Sequence, residues 1–523
     1  NNKGDNQIIN MEEKMDKTNS TSRTHRFLRQ ALLASVFGAF GLASPMAQAE
    51  TLMVGVQGLP DSLDTGVSSF AALNMALQTM DPLVLRDDTG KTIPGLAESW
   101  EAIDPLTWRF ALRQGVTFHD GEPFTAEDVK FTLDYILDPA TVYGSKKRIT
   151  QIVSTTVVDA NTVDIKTSNP FPTLLIGLSD IPIEPKHYVE SVGRDGMVAK
   201  PMGTGPFVFK EWLPGDHYSL TANADYWQGA PKVDGVEFRQ IPEASTRAAS
   251  LIAGEMQIIE EIPVDIVPQI DASEGVAAKG VETTVGLLLT FDTRQPPFDD
   301  VRVRRALNEA INKKLIFDQM LKGRGAILNG QMLTSNTFGA NPDLKRISFD
   351  LESAKALLAE AGYGDGFETS ITTRSGKYLS DVDIANVIAG MFLNVNVRAG
   401  VNVVEQGVFS KMVKAREMGP LHMVGWYSVG DADFATVWFT EASGRAYWKN
   451  DEYEELFLKG RSTVDRDERK AAYNRMMEIM QEEVPAIFLF GLPSIYGVSD
   501  KLSNFSPPSD KIMRLHNAVI ASD

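Results

Sequence analysis

Apolar and polar residues alternate strictly over residues 106–113 of the chain. The even-numbered positions are Leu106, Trp108, Phe110 and Leu112, and the odd-numbered positions are Thr107, Arg109, Ala111 and Arg113. A period of two predicts a half-buried strand, which Gln114-Gly115 ends.

The next apolar residues recur with helical spacing. Val129, Leu133, Ile136 and Leu137 form one stripe that Pro139 ends. Thr125 is a suitable N-cap, and Asp128 three residues later can reach back to it in a capping box. Phe124 and Val129 are placed to form a hydrophobic staple across this helix start.

The same two periods predict elements along the rest of the chain. Strands are expected at residues 51–56, 161–166, 207–212, 287–293, 368–373, 401–404, 423–426 and 487–490. Three helices are expected. The first covers residues 246–253, and the second follows Pro296 and has an inner apolar stripe from Val303 to Ile311. The third begins after an N-cap at Asp350 and ends at Gly362. Residues 143–148 show no periodicity and are expected to be a loop. Strands and helices in alternation indicate an α/β fold.

The first 49 residues are typical of a leader rather than of a domain. Arg23, Arg26 and Arg29 precede a short apolar run over residues 31–43, and Ala47-Gln48-Ala49 is an A-x-A cleavage pattern. The alternative is a membrane anchor, but a run of this length falls short of the ~20 residues that span a bilayer. We expect cleavage after Ala49, with the true start at Met11 or Met15.

Charge and cysteine content narrow the function. The chain of 523 residues has a net charge of −18, and removing a leader with six basic and four acidic residues takes it to −20. So acidic a chain is a poor candidate for binding nucleic acid. With no cysteine, an exported chain has no disulfides, thiolate metal ligands or cysteine nucleophile.

Motifs of catalysis and metal binding are missing from the sequence. The six histidines show no ligand spacing, and there is no G-x-S-x-G elbow or P-loop. Gly203-Thr-Gly205 lacks the lysine that a phosphate loop needs and is interpreted as a turn. We therefore expect neither an enzyme nor a resident metal or cofactor.

The segment from Gly95 to Asp134, containing GLAESWE, TWRFALRQGVTFHDGEPF and TAEDVKFTLD, resembles the signature of family 5 extracytoplasmic solute-binding proteins. These are the peptide-, nickel- and opine-binding components of bacterial ABC importers. The resemblance implies a type II periplasmic binding protein-like fold, with two lobes, or three domains, around an interdomain ligand cleft. The boundaries it implies are 50–92, 201–285 and 491–523 for domain I, 93–200 for domain II and 286–490 for domain III. The implied hinge strands lie near residues 280–290 and 485–495.

The resemblance also implies a ligand site. Peptide-binding members carry a Trp followed three residues later by an Asp that pairs with the ligand's α-ammonium. Trp426 matches that Trp, but Val429 stands in the position of the acid. Because a buried ammonium needs a partner, ordinary peptide binding is disfavoured.

Arg374 matches an arginine that holds the ligand's carboxylate in dipeptide-binding relatives, and a solvated turn is the alternative. Trp438 and Trp448 could be ligand-facing or core. Asp433 is expected to cap a helix that begins at Phe434, and Ser69 could instead cap a helix near Ala71. The full set of expected ligand-binding residues is Trp426, Tyr427, Ser428, Arg374, Tyr378, Ser69, Phe70 and Asp431. For Asp431, a loop-ordering turn is the stronger alternative.

Taken with the leader, the resemblance favours a monomeric periplasmic receptor that delivers a small ligand to inner-membrane permease subunits of an ABC importer. An opine-type amino-acid–sugar conjugate of the mannopine or agropinic acid class is the preferred ligand. A di- or oligopeptide receptor is the first alternative. A secreted hydrolase and a chaperone-like or signalling receptor are alternatives of other classes.

The leader interpretation predicts that the mature protein purified from the periplasm begins at Glu50, because the A-x-A pattern positions the cut after Ala49. N-terminal sequencing checks this directly. Mature protein that retains residues 31–43 would support the anchor instead.

Overall fold

The two longest strands of the protein, Val276–Phe291 and Ala486–Ser499, pair with each other in its interior. In this computed structural model the described residues are 50–521, apart from 65, 67–69, 89, 375–377 and 379. The expected leader therefore lies outside the described residues.

The strands of the described residues share no single sheet and are, in chain order, β1 Thr51–Val56, β2 Val84–Arg86, β3 Thr92–Pro94, β4 Ala97–Asp104, β5 Thr107–Leu112, β6 Ile152–Asp159, β7 Thr162–Thr167, β8 Phe207–Leu213, β9 His217–Ala222, β10 Gly235–Gln240, β11 Ile258–Ile259, β12 Val276–Phe291, β13 Ala326–Ile327, β14 Phe367–Arg374, β15 Val397–Val404, β16 Leu421–Tyr427, β17 Ala486–Ser499, β18 Leu502–Ser503 and β19 Val519–Ile520.

The helices of the same residues are α1 Phe70–Thr79, α2 Ala126–Leu137, α3 Leu174–Leu178, α4 Lys186–Ala199, α5 Ala244–Ile252, α6 Val267–Asp271, α7 Val301–Glu309, α8 Lys313–Gln319, α9 Leu351–Glu360, α10 Asp381–Phe392, α11 Gln406–Ala415, α12 Ala432–Thr436, α13 Asp451–Ser462 and α14 Arg466–Glu483. Single 3-10 turns cover Gly144–Arg148, Leu393–Val395, Val437–Phe439 and Glu441–Ser443.

One large sheet organises most of the fold. Its order is β15-β14-β16-β12-β17-β11-β1-β10-β9-β8, with β13 attached to β17. A separate sheet of four antiparallel strands has the order β4-β5-β7-β6, and its helix α2 packs on β6 and β7. Parallel pairs such as β14 with β15 and antiparallel pairs such as β12 with β17 coexist in the large sheet. The α/β class expected from the sequence is confirmed.

Apolar residues on these sheets form separate cores. The buried members of one core all lie within residues 83–202, and this core covers the four-stranded sheet. Two others cover the two faces of β12, β16 and β17, so Leu287, Leu288 and Leu289 are all fully buried. Burial on both faces explains why this strand is a continuous apolar run. The domain boundaries given above stay a prediction.

Several local expectations agree with the structure. The Asp128 carboxylate accepts a hydrogen bond of 2.9 Å from the backbone N–H of Thr125, completing the capping box of α2. Asp350 caps α9, and Gly362 adopts a φ of 86° beyond its end. Gly203 is packed so closely on Thr79 that a Cβ would collide with its backbone, which is the demand of a tight turn.

Two local expectations are wrong. Residues 144–148 form a 3-10 turn rather than a loop. The short helix after β16 begins at Ala432, and its N-cap is Asp431, whose side chain accepts from the backbone N–H of Asp433 at 3.0 Å. Asp433 thus lies inside the first turn. Two aspartates spaced by one residue offer the same capping chemistry, and local sequence does not separate them.

A histidine is buried at the centre of the large sheet. His422 on β16 is fully buried opposite Thr290 of β12, and neither ring nitrogen has a hydrogen-bond partner among the described residues. Its ring lies 4.9 Å from that of Tyr447, centroid to centroid. Burial lowers the pKa of His422 to about 3, an effect that the Asp292 carboxylate only partly opposes.

This histidine should make the fold sensitive to acid. Because its folded pKa is depressed below the unfolded value of about 6.5, its contribution to stability is complete above that pH and is lost as the pH falls towards 3. We expect His422→Phe to remove at most roughly 3 kcal/mol from the pH dependence of the unfolding free energy between about pH 7.5 and about pH 4, since about 2.5 pH units of that range lie between the unfolded and folded pKa. Urea denaturation between about pH 7.5 and about pH 4 measures it.

Thr290→Val is the matched control, since it alters a buried polar group directly across the sheet without removing a titrating one. It should keep the wild-type pH dependence. Equal pH slopes for wild type and His422→Phe would show that this histidine does not titrate with folding.

Candidate ligand-binding site

Three strands of the large sheet end at the same edge. β14 runs parallel to both β15 and β16, so Arg374, Val404 and Tyr427 are terminal residues at one side of the sheet. Ligands of open α/β sheets bind beyond the carboxyl ends of parallel strands. The residues expected from the sequence therefore lie where such a site belongs.

Arg374 is buried at this edge, with a relative exposure of 8%. Its guanidinium donates to Gln406 Oε1 at 3.1 Å and to the Tyr378 hydroxyl at 2.9 Å, and it lies 4.0 Å from the ring centroid of Phe409. Its Nε is buried without a hydrogen-bond partner, and its partners among the described residues are neutral, with no carboxylate in an ion pair with it. A buried cation without a counter-charge is costly, so this one is suited to an incoming anion.

An open cavity of about 250 Å³ lies beside Arg374. We call it the aromatic cavity; its lining comprises Arg374, Tyr378, Phe409, Ser410, Val413, Lys414, Val424, Gly425, Trp426, Trp438 and Arg445. The Trp426 indole donates to the carbonyl of Phe434 at 2.6 Å and packs on Trp438 with ring centroids 4.7 Å apart. Fixed aromatic faces beside a guanidinium can hold an apolar or ring-shaped body whose acidic group is bound.

Tyr378 connects this cavity to the sheet. Its hydroxyl accepts from Arg374 and donates to the carbonyl of Gly425 at 2.7 Å. A Cβ on Gly425 would collide with the Tyr378 ring, so the glycine makes this close approach possible. Burial raises the pKa of Tyr378, with the Arg374 charge opposing, so the hydroxyl stays neutral.

Tyr427 faces a different cavity from Trp426. Consecutive side chains of a strand point to opposite faces of its sheet, and β16 is no exception. Trp426 packs with the core that contains Phe409 and Trp438, whereas Tyr427 packs with the opposite core. The expected site residues are thus divided between the two faces.

We call the second cavity the arginine cavity. It is lined by Arg86, Arg148, Asp180, Thr283, Thr284, Val285, Tyr427, Val429, Ser509, Asp510 and Lys511. These residues are distant in sequence and meet where the elements around the four-stranded sheet, the large sheet and the C-terminal segment come together.

Burial shapes the charges of the arginine cavity. Burial and the neighbouring Arg86 guanidinium lower the pKa of Arg148 to about 10. Burial also lowers the pKa of Arg86, with Asp510 opposing. For Lys511, burial is outweighed by the Glu261 carboxylate, and the pKa is raised. All three side chains are therefore cations at neutral pH.

Ser428 and Asp431 are turned inward and hold the loop after β16. The Ser428 hydroxyl lies 2.6 Å from that of Thr337 and donates to the carbonyl of Thr284 at 3.2 Å. Asp431 forms a buried ion pair of 2.9 Å with Arg469. Both side chains expected as ligand contacts are thus already bonded within the protein.

Val429 has a strained backbone within this anchored loop. Its φ of 50° lies in the left-handed region, which a β-branched residue rarely adopts. The inward bonds of Ser428 and Asp431 on either side supply the restraint that such a conformation needs. Ser69 lies outside the described residues; α1 begins at Phe70, whose side chain also lies outside them.

The sequence interpretation did not single out Arg86, Arg148, Lys511 or Phe409. The basic run Lys146-Lys147-Arg148 was the one visible signal, and it was interpreted as part of a loop. Arg86, Lys511 and Phe409 reach their cavities through tertiary contacts alone. Among the described residues no cluster of three metal-ligating side chains occurs, and no helix there has the length and apolarity to cross a membrane.

Comparison with known proteins identifies the class of the fold. Residues 91–447 match the family "Bacterial extracellular solute-binding proteins, family 5 Middle". Since the match covers more than half of the chain, the protein belongs to this family of solute-binding proteins.

The chain aligns with most of the length of individual relatives. The chain is 29% identical over 427 residues to Heme-binding protein A of Haemophilus influenzae, covering 75% of this chain and 78% of that protein. It is 29% identical over 484 residues to the Dipeptide-binding protein of Escherichia coli, covering 84% and 89%.

Solved structures agree with this assignment. HbpA2 from Haemophilus parasuis superposes with a TM-score of 0.84 at 27% identity, over 90% of this chain and all of that one. The binding protein AgaA from A. tumefaciens R10, solved in complex with agropinic acid, superposes with a TM-score of 0.71 at 26% identity, over 90% and 99%. These similarities match the periplasmic binding protein fold expected from the sequence.

Proposed function

We propose that the protein is a periplasmic receptor that binds a small carboxylate-bearing ligand and delivers it to the permease of an ABC importer. The observation that carries the proposal is the buried Arg374, which has no carboxylate partner among the described residues and lines the aromatic cavity. In this function Arg374 binds the ligand's carboxylate, Tyr378 orients the guanidinium, and Trp426 with Trp438 contacts the body of the ligand.

We favour an opine-type ligand of the mannopine or agropinic acid class. Val429 presents an isopropyl group where a peptide receptor would need an acid for the α-ammonium. The similarity to a protein solved with agropinic acid supports the same class. A ligand with a carboxylate, hydroxyl groups and no primary ammonium suits both observations.

A di- or oligopeptide receptor is the second candidate. It is favoured by the similarity to a dipeptide-binding protein over 84% of the chain. The carboxyl terminus of a bound peptide could bind Arg374 in the same manner. The two candidates therefore differ in how the other end of the ligand is recognised.

Arg374→Ala should weaken binding of agropinic acid or of N-acetyl-alanylglutamine by about 30-fold or more. Truncating one partner of a buried charge pair costs about 2–5 kcal/mol, and about 1.4 kcal/mol is a factor of ten. Isothermal calorimetry on wild type and variant measures the loss.

Arg398→Ala is the matched control for Arg374, because it removes an exposed arginine from the neighbouring strand β15. It should bind like wild type. An Arg374→Ala protein with wild-type affinity would refute the role of this arginine, and failure of every probe to raise the melting temperature would count against the ligand class.

Removing the ammonium should not harm binding. Val429 offers no acid, and the carboxylates of Asp180 and Asp510 in the same cavity are already paired with arginines. We therefore expect N-acetyl-alanylglutamine to bind at least as tightly as free alanylglutamine, whose ammonium would be buried without a partner of its own. Val429→Asp should shift the preference towards the free dipeptide. Calorimetry on both proteins with both probes gives the two ratios, and a wild type that prefers the free dipeptide tenfold would favour the peptide receptor instead.

A further inference from the structure

The charged side chains that line the aromatic cavity are all positive. They are Arg374, Lys414 and Arg445, and none of the described residues in the lining is an aspartate or a glutamate. In a chain with a net charge of −18, three cations around one cavity without an acid are the opposite of the average surface. This cavity therefore favours an anion with more than one charge.

The three cations lie at different depths in the cavity. Arg374 is buried, whereas Lys414 and Arg445 are exposed. Because all three line one cavity, its inner end has one cation and its opening has the other two. We call the part at Lys414 and Arg445 the mouth. The proposed function employs the inner cation and leaves the two at the mouth without a role.

Lys414 reaches the mouth from helix α11. Phe409, Ser410, Val413 and Lys414 all line the cavity, and their spacing places them on one face of this helix. Among the described residues Lys414 has no carboxylate partner in an ion pair. A lysine in the last turn also stabilises the helix end, so its test needs a ligand readout.

Arg445 lies at the aromatic wall of the cavity. Its guanidinium is 5.6 Å from the ring centroid of Trp438, which lines the same cavity. The acids nearest to it in sequence, Glu441 and Asp451, form ion pairs with Lys449. Arg445 itself forms no ion pair within the described part of the chain, so its charge is available to a ligand.

We infer that the ligand carries a second acidic group and that Lys414 and Arg445 bind it at the mouth of the aromatic cavity. This inference rests on the proposed function and narrows the ligand to a diacid. The inner carboxylate binds Arg374, and the outer carboxylate meets two cations that have no carboxylate of their own. A guanidinium such as that of Arg445 can bind a carboxylate with two parallel hydrogen bonds.

The test compares two probes that differ by one acidic group, N-acetyl-alanylglutamate and N-acetyl-alanylglutamine, by calorimetry at low ionic strength. The wild type should prefer the glutamate probe by about fivefold, a ratio that two exposed ion pairs together can support. Raising the salt concentration to about 1 M should reduce this ratio, because salt screens exposed charges.

The double variant Lys414→Gln/Arg445→Gln should bring the ratio to within about twofold of one. Its affinity for the glutamine probe should stay within about twofold of wild type, because that probe has no second acid. Arg374→Ala should weaken both probes and keep the ratio, since it removes the inner cation alone.

The matched control is Lys411→Gln/Lys459→Gln, which removes the same two charges from exposed positions on α11 and α13 that do not line the cavity. It should keep the wild-type ratio. An equal fall of the ratio in this control would show that the net charge of the protein, and not the mouth, sets the preference, and would overturn the inference.

A wild-type ratio near one, or a ratio that survives Lys414→Gln/Arg445→Gln, would also overturn the inference while the role of Arg374 stands. Two probes that each bind wild type and Arg374→Ala with equal affinity would instead overturn the proposed function. Failure of the wild type to bind either probe would count against both.

Discussion

The antiparallel pairing of β12 with β17 is the constraint on which the arginine cavity depends. It runs from Val276 opposite Ser499 to Thr290 opposite Ala486, with the register interrupted between Glu282 and Gly286. Through it the middle of the chain and its C-terminal segment share one sheet, and β16 lies on the other side of β12. Residues 283–285, Tyr427, Val429 and residues 509–511 are brought to one cavity because these strands lie side by side.

The alternation of side chains along β16 places the expected ligand-binding residues on two faces of the large sheet. Trp426 and Tyr427 are adjacent in sequence but belong to opposite faces, since successive side chains of a strand diverge. The loop that follows cannot relax this division, because the buried Asp431–Arg469 pair and the Ser428 hydrogen bonds hold it at both ends. Breaking a buried ion pair by removing one partner typically costs about 3–5 kcal/mol, so this loop is firmly held.

Electrostatics distinguishes the two cavities from the remaining surface. The protein is acidic overall, yet both cavities present buried or half-buried guanidinium groups. Burying a guanidinium costs free energy, and the two arginines differ in how their partners offset that cost. Arg86 forms ion pairs with two carboxylates, whereas Arg374 has only neutral partners among the described residues. A ligand that supplies anionic oxygens is the complement to this arrangement.

Local pattern by itself determined the elements whose cause is local. The period of two at β5, the capping box of α2 and the Asp350 cap of α9 depend on residues within four positions, and all are present in the structure. Resemblance over a long segment led to the family and to Arg374, Tyr378 and Trp426, which share one cavity.

Tertiary structure decided the remaining features of the candidate site. The inward turn of Ser428 and Asp431 depends on Thr337 and Arg469, and the meeting of Arg86, Arg148 and Lys511 depends on sheet order. Contacts between residues so far apart in sequence leave no local period, because the free energy that selects them is gained only when the whole core is buried.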